Sequence, residues 1–211
     1  SGSAYVFALP APPPAPTVAP TAFPLHAETD KMLASDGAAS DWFGVSVAAA
    51  GDLVALGAPR HKTDAGAVYV FRSSDGGGGL QSGAVYLFAT SDNGATWAQT
   101  AKLKAADAAA YDMFGISVAT DGATVVAGAY GDGNAGSDGQ NNPVGAVGAV
   151  YVFRVSDGAQ LAKLTAADAA TGDKFGFSVA IEGSTVAIGA RGDGSNAGAV
   201  YLFDTATWAE T

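Results

Sequence analysis

Phe114-Gly115-Ile116-Ser117-Val118, Thr124-Val125-Val126-Ala127-Gly128-Ala129-Tyr130 and Gly148-Ala149-Val150-Tyr151-Val152-Phe153 follow one another, and all three runs recur. The first has copies at Phe43-Gly44-Val45-Ser46-Val47 and Phe175-Gly176-Phe177-Ser178-Val179. The second recurs from Leu53 to Pro59 and from Thr185 to Arg191, and the third from Gly66 to Phe71 and from Gly198 to Phe203. A phrase that recurs at this length marks a supersecondary unit that buries its apolar face only by stacking on its neighbours. A fourth run completes the unit at Ala101-Lys102-Leu103-Lys104-Ala105-Ala106-Asp107 and at Ala162-Lys163-Leu164-Thr165-Ala166-Ala167-Asp168. A degenerate copy lies at Asp30-Lys31-Met32-Leu33-Ala34-Ser35-Asp36.

The runs are short, rich in Val, Ile, Tyr and Phe, and bounded by Gly, Asp and Asn, which is the pattern of strands joined by turns. Helical periodicity is missing. Only Lys104 to Ala110 and Thr165 to Ala170 suggest a helical turn, and both are too short to stand alone. The expected class is all-β, with four antiparallel strands per unit. With 211 residues, 48% of them apolar and 14% charged, the chain is large enough for a sizeable core.

The formal net charge of -10 argues against nucleic acid, whose phosphates are bound by Lys and Arg, and against an anionic membrane surface. Cysteine is absent, which excludes disulfides, thiol catalysis and thiolate metal sites. There is no apolar run long enough for a membrane-spanning helix, so membrane insertion is not expected. Ala4-Tyr5-Val6-Phe7 matches the third run, so the sequence starts in mid-pattern and reads as a mature or clipped piece of something longer.

The Tyr-x-Phe motif falls at 5–7, 69–71, 86–88, 151–153 and 201–203, and the copy at 86–88 breaks the spacing. Residues 73–88 therefore form an irregular insert: a unit without its first two strands, an extra hairpin, or a junction of pieces not adjacent in the repeat. The chain divides into residues 1–27, a partial strand plus a Pro-rich arm, and residues 28–211, the repeat region, with units starting near 42, 113 and 174. Seven of the nine prolines lie within residues 8–24. They favour polyproline II, as a semi-rigid spacer, a docking arm, a peptide ligand or a glycosylated segment.

The succession Phe-Gly, Val54-Ala55-Leu56-Gly57-Ala58-Pro59 and Gly-Ala-Val-Tyr-Val-Phe resembles the FG-GAP repeat of integrin α-subunits and of many bacterial and algal extracellular proteins. The resemblance covers about residues 28–211 in three copies. It implies a β-propeller built of four-stranded blades, with three to four blades here as part of a larger propeller or assembly. It also implies an extracellular or cell-surface location. In integrin-type repeats, the hairpin between the first two strands carries an Asp-x-Asp-x-Asp-Gly calcium loop. The corresponding hairpins here, such as Ala119-Thr120-Asp121-Gly122-Ala123 and Ala180-Ile181-Glu182-Gly183-Ser184, offer one carboxylate each. Calcium takes six to eight oxygens, so that cage does not carry over.

A second candidate calcium loop lies between strands two and three, at Gly131 to Gly139, with Asp132, Asn134 and Asp138 as possible ligands. The same residues suit ordinary Asx turns. No other cofactor is implied. Thr90-Ser91-Asp92-Asn93-Gly94-Ala95-Thr96-Trp97 resembles the Asp-box of sialidase-type propellers, which implies a structural turn capped by Asp92 with Trp97 packed beneath it. Arg191-Gly192-Asp193 spells an integrin-ligand tripeptide, but Tyr130-Gly131-Asp132 occupies the same place in the previous unit, so Gly-Asp belongs to the repeat. His26 and His61 stand apart from each other. No nucleophile elbow, phosphate loop or isolated acid pair stands out, so catalysis is not expected. The leading reading is a non-catalytic module for adhesion or assembly, partnered by other protein chains or by the remainder of a longer chain. The alternative is a glycan-binding lectin or a glycan-active enzyme module, with Trp42, Trp97 and Trp208 as candidate contacts.

Overall fold

The computed structural model describes residues 35, 43–51, 53–59, 82–89, 91, 98–138 and 142–211. Three antiparallel sheets follow one another along these residues, each an up-and-down meander. The first blade is β1 (Ser46–Ala50), β2 (Leu53–Ala58), β3 (Ala84–Ala89) and β4 (Ala98–Leu103). The second is β5 (Ser117–Thr120), β6 (Thr124–Ala129), β7 (Ala149–Arg154) and β8 (Gln160–Leu164). The third is β9 (Phe175–Glu182), β10 (Thr185–Ala190) and β11 (Ala199–Asp204). The all-β, blade-type expectation is met.

The details depart from it in four places. The slot that the spacing gives to Gly66–Phe71 is filled by β3, which pairs with β2 from Leu53↔Ala89 to Ala58↔Ala84. Hence part of the irregular insert is the first blade's third strand, whereas the sequence pattern assigns that strand to Gly66–Phe71 and none of the three readings of the insert gives it this place. The third blade has three strands, and its fourth position is marked by the single bridge Phe203↔Glu210, the counterpart of Phe153↔Gln160. The Ala-rich pieces form turns, closed by Ala108 N–H to Ala105 O and Ala169 N–H to Ala166 O. A four-residue helical turn at Asp193–Asn196, with Gly194 and Ser195 at positive φ, was not expected. The Pro-rich arm, Tyr5, Phe7, His26, Trp42, His61, Arg60, Arg72 and Asp92 to Trp97 lie outside the described residues.

Alternation along each strand sends successive side chains to opposite faces, and both faces of a blade are apolar. On β3, Val85 and Leu87 join Leu53 and Ala55 in a core shared with Val118, Val125 and Ala127 of the second blade. Tyr86 and Phe88 point the other way, with Val54 and Leu56. A second shared core joins Val150 and Val152 to Val186 and Ile188 of the third blade. The core thus lies mostly between blades, where each fully buried Val or Leu contributes about 1.5–3 kcal/mol.

The Phe of each Phe-Gly packs edge-on against the Tyr-x-Phe pair of its own blade. Ring centroids are 5.6 and 5.7 Å apart for Phe114 with Tyr151 and Phe153, and 5.4 and 6.0 Å for Phe175 with Tyr201 and Phe203. This is why the two phrases recur together. Edge-to-face pairs of this kind add about 0.5–1.5 kcal/mol beyond their burial.

The join between blades is polar and made at one place. Ser46 Oγ donates to the Gly115 carbonyl at 2.7 Å, and Ser117 Oγ donates to the Gly176 carbonyl at 2.9 Å. Each serine stands opposite a glycine of its own blade, Ser46↔Gly57 and Ser117↔Gly128. A Cβ at Gly128 would overlap both the Gly176 carbonyl and Ser117 Oγ, and Gly57 is placed in the same way against Gly115 and Ser46. Backbone bonds from Phe114 N–H to Ser82 O (3.1 Å) and from Phe175 N–H to Val147 O (2.9 Å) run alongside. Gly128→Ala is expected to cost about 1–3 kcal/mol, the usual penalty of overpacking against backbone that cannot yield. Ser117→Ala, which removes one hydrogen bond, should cost about 1 kcal/mol. Urea unfolding of the two variants beside the parent checks both the values and their order.

Candidate functional site

One blade-to-blade loop, one loop within the second blade and two of its strands bring together two aspartates, a tyrosine and a lysine. Asp107 comes from the loop after β4, Asp132 from the loop after β6, Tyr151 from β7 and Lys163 from β8. The single proton of Tyr151 Oη is shared between Asp107 Oδ1 at 2.8 Å and Asp132 Oδ2 at 2.7 Å. Lys163 Nζ donates to Asp107 Oδ2 and Asp132 Oδ2, both at 2.7 Å, and lies 5.2 Å from the centre of the Tyr151 ring. A phenol and an ammonium thus share two carboxylates, one from the linker to the preceding blade and one from the blade's own loop. The third blade repeats the tyrosine–aspartate part of the arrangement, with the Tyr201 Oη proton shared between Asp168, at 2.8 Å, and Asp193.

Burial alone would raise the Asp107 carboxyl, but the Lys163 and Tyr151 hydrogen bonds and the Lys163 charge outweigh it and hold it below its ordinary 3.8. Burial alone would lower the Lys163 ammonium, and the two aspartates instead raise it above its ordinary 10.5. Burial and the same two carboxylates push the Tyr151 phenol far up, and the bond to Asp193 leads in raising that of Tyr201. These shifts are those of a clasp that keeps its charges and its phenolic proton. None moves a group toward neutrality as a general base would require.

One buried carboxylate goes the other way. Asp112 is 2% exposed, accepts from Ala109 N–H at 2.6 Å and is pushed up to about 6, mainly by burial and then by the neighbouring Asp132. Its counterpart Asp173 is 8% exposed and accepts from Ala170 N–H at 2.6 Å. Sequence reasoning passed over both. The signal was an Asp two residues before each Phe-Gly, at Asp41, Asp112 and Asp173.

The three residues set out as calcium ligands have other partners. Asp132 is held by Tyr151 and Lys163. Asn134 donates through Nδ2 to the Ala110 and Gly131 carbonyls and accepts from Gly136 N–H, while Asp138 accepts from Asn142. Among the described residues, there is no group of three or more acidic, histidine or cysteine side chains arranged to hold a metal. The Asx contact expected of this loop is made by Asn134 with Gly136, and in the β5–β6 hairpin, read as a tight turn with Gly122 at positive φ, Gly122 has φ 93° and Asp121 accepts from Ala123 and Thr124 N–H. In the Arg-Gly-Asp tripeptide, Arg191 stacks on the Phe177 ring at 4.3 Å, and Asp193 is tied to Tyr201. Trp208 packs against the second shared core.

A meander of Phe-Gly-anchored sheets, joined through a buried serine–carbonyl contact and clasped by tyrosine and aspartate, defines a propeller-type repeat protein. A family model described as FG-GAP repeat matches residues 27–71, 97–153 and 159–203, and the chain belongs to that family. Domains of this repeat are generally non-catalytic propeller modules for protein interaction. The first matched segment ends at Phe71, although the structure fills that strand position with Ala84–Ala89. No curated protein matches the chain.

The opposite shifts set the pH response. The Asp107 contribution is present above 3.8 and is lost as pH falls below that value. The Asp112 contribution is full below 3.8 and is lost as pH rises through about 6. Asp112→Asn, which keeps an acceptor for Ala109, should therefore abolish a decline in the urea midpoint between about pH 4 and 6. Tyr151→Phe should cost about 1–3 kcal/mol by leaving two carboxylates short of a donor. Midpoints measured across this range for both variants and the parent test the two assignments separately.

Proposed function

We propose that the chain is a non-catalytic interaction module of an extracellular or cell-surface structure, serving adhesion or the assembly of that structure. The observation that carries this reading is the outer face of the third blade. Val200 and Leu202 of β11 are 69% and 45% exposed, while their counterparts Val150 and Val152 on β7 are fully buried against a neighbouring blade. Apolar side chains exposed together on a sheet face mark a contact surface. Asp107, Asp132, Tyr151 and Lys163 are engaged with one another in the clasp.

The charge of -10 suits a solvated surface and disfavours nucleic acid. Among the described residues, no helix is long and apolar enough to cross a membrane. The proposed partners are protein chains, whether separate or continuous with this one. An antibody against residues 142–211, applied to intact source cells, is expected to label the surface or shed extracellular material. Labelling only after permeabilisation would overturn the reading.

A further inference from the structure

We infer that the outer face of the third blade docks the first blade of a second copy of this chain, so that copies add head to tail. This rests on the reading of the chain as an interaction module and names the partner. The face repeats, residue for residue, two joints that the chain already makes within itself. Ser178 lies opposite Gly189, as Ser117 lies opposite Gly128 and Ser46 opposite Gly57. Ser46 and Ser117 each hold the carbonyl of the next blade's Phe-Gly, whereas Ser178 Oγ has no acceptor among the described residues.

A groove of about 360 Å³ lies at that spot, lined by Phe177, Ser178, Gly189 and Val200. At the inner joints, the corresponding space holds the carbonyl of Gly115 or Gly176, closer to the facing glycine than any Cβ would allow. Val200 and Leu202 extend the apolar surface outward along β11. Their counterparts in the first blade, Val85 and Leu87, are fully buried by the second blade, as Val150 and Val152 are by the third.

The complementary strand is present in the same chain. Phe43-Gly44-Val45-Ser46-Val47 has the sequence pattern of the strands that dock at both inner joints. Val45 and Val47 are 47% and 63% exposed, while Val118, the counterpart of Val47, is 8% exposed because the first blade covers it. Seated on the third blade, this strand would bring the Gly44 carbonyl to Ser178 and Val47 to the β9–β10 surface. The two faces differ, so the contact is heterologous, and each copy that docks one face still presents the other, closing into a ring or extending as the rotation between copies dictates.

Sedimentation velocity of the full chain over a concentration series tests this. The sedimentation coefficient should rise with concentration, and Val200→Asp and Val47→Asp should each hold the chain as a monomer. Both positions are exposed, so the thermal midpoints of the two variants should match the parent's. Mixed in equal amounts, the variants should form dimers and nothing larger, because each retains the one face that the other lacks. Ser178→Ala, which removes a single hydrogen bond, should weaken association roughly five-fold. A monomer at every concentration, association indifferent to Val200→Asp, or a mixture that stays monomeric would overturn the inference. A monomeric chain that still labels the cell surface would overturn self-docking alone, and labelling confined to permeabilised cells would overturn the module reading alone.

Discussion

The structure depends on a carbonyl group set into its neighbour. At each joint, the glycine of one Phe-Gly brings its carbonyl against the sheet of the preceding blade, where a serine hydroxyl donates to it and a facing glycine leaves it room. A buried carbonyl without a donor costs about as much as the hydrogen bond it lacks, so close approach and hydroxyl are needed together. Glycine at the first position also supplies the left-handed backbone that turns the chain into its first strand, with φ of 86° at Gly115 and 83° at Gly176. The apolar packing between blades gives most of the stabilisation, while this joint fixes the register in which that packing occurs.

Around the joint, the charged residues serve the same end. Asp107 and Asp168 lie on linkers between blades and accept from the tyrosine of the blade that follows, which ties each linker to the sheet it leads into. Asp107, Asp132, Asp168 and Asp193 are therefore structural. Asp112 runs against the pattern: its carboxyl is buried near other carboxylates and destabilises the fold when ionised. The backbone contact from Ala109 N–H offsets part of that cost.

The strands, their order and the blade architecture were legible in the sequence because strand periodicity and repeat spacing are local signals. The positive-φ hairpin glycines at Gly122 and Gly183 were legible for the same reason. The choice between two Gly-Ala-Val-Tyr runs for one strand was not, since both fit β2 equally by pattern and only tertiary pairing selects Ala84–Ala89. The site was readable in fragments. Asp132 stood out as a loop carboxylate, but its engagement by Tyr151 and Lys163 joins residues 19 and 31 positions away, a relation that no spacing rule exposes. Asp112 and Asp173 recur at a fixed offset from Phe-Gly, yet a lone Asp before a strand reads as turn chemistry until its burial is known.

If the carbonyl joint couples the blades, they cannot open one at a time. Native-state hydrogen exchange of the Phe114 and Phe175 amides, which donate across the two joints, measures that coupling directly. Both amides should exchange only through global unfolding, with the same denaturant dependence as the central amides of β6. Exchange of either amide through a smaller, denaturant-insensitive opening would mean that the blades part independently and that the joint does not organise the fold.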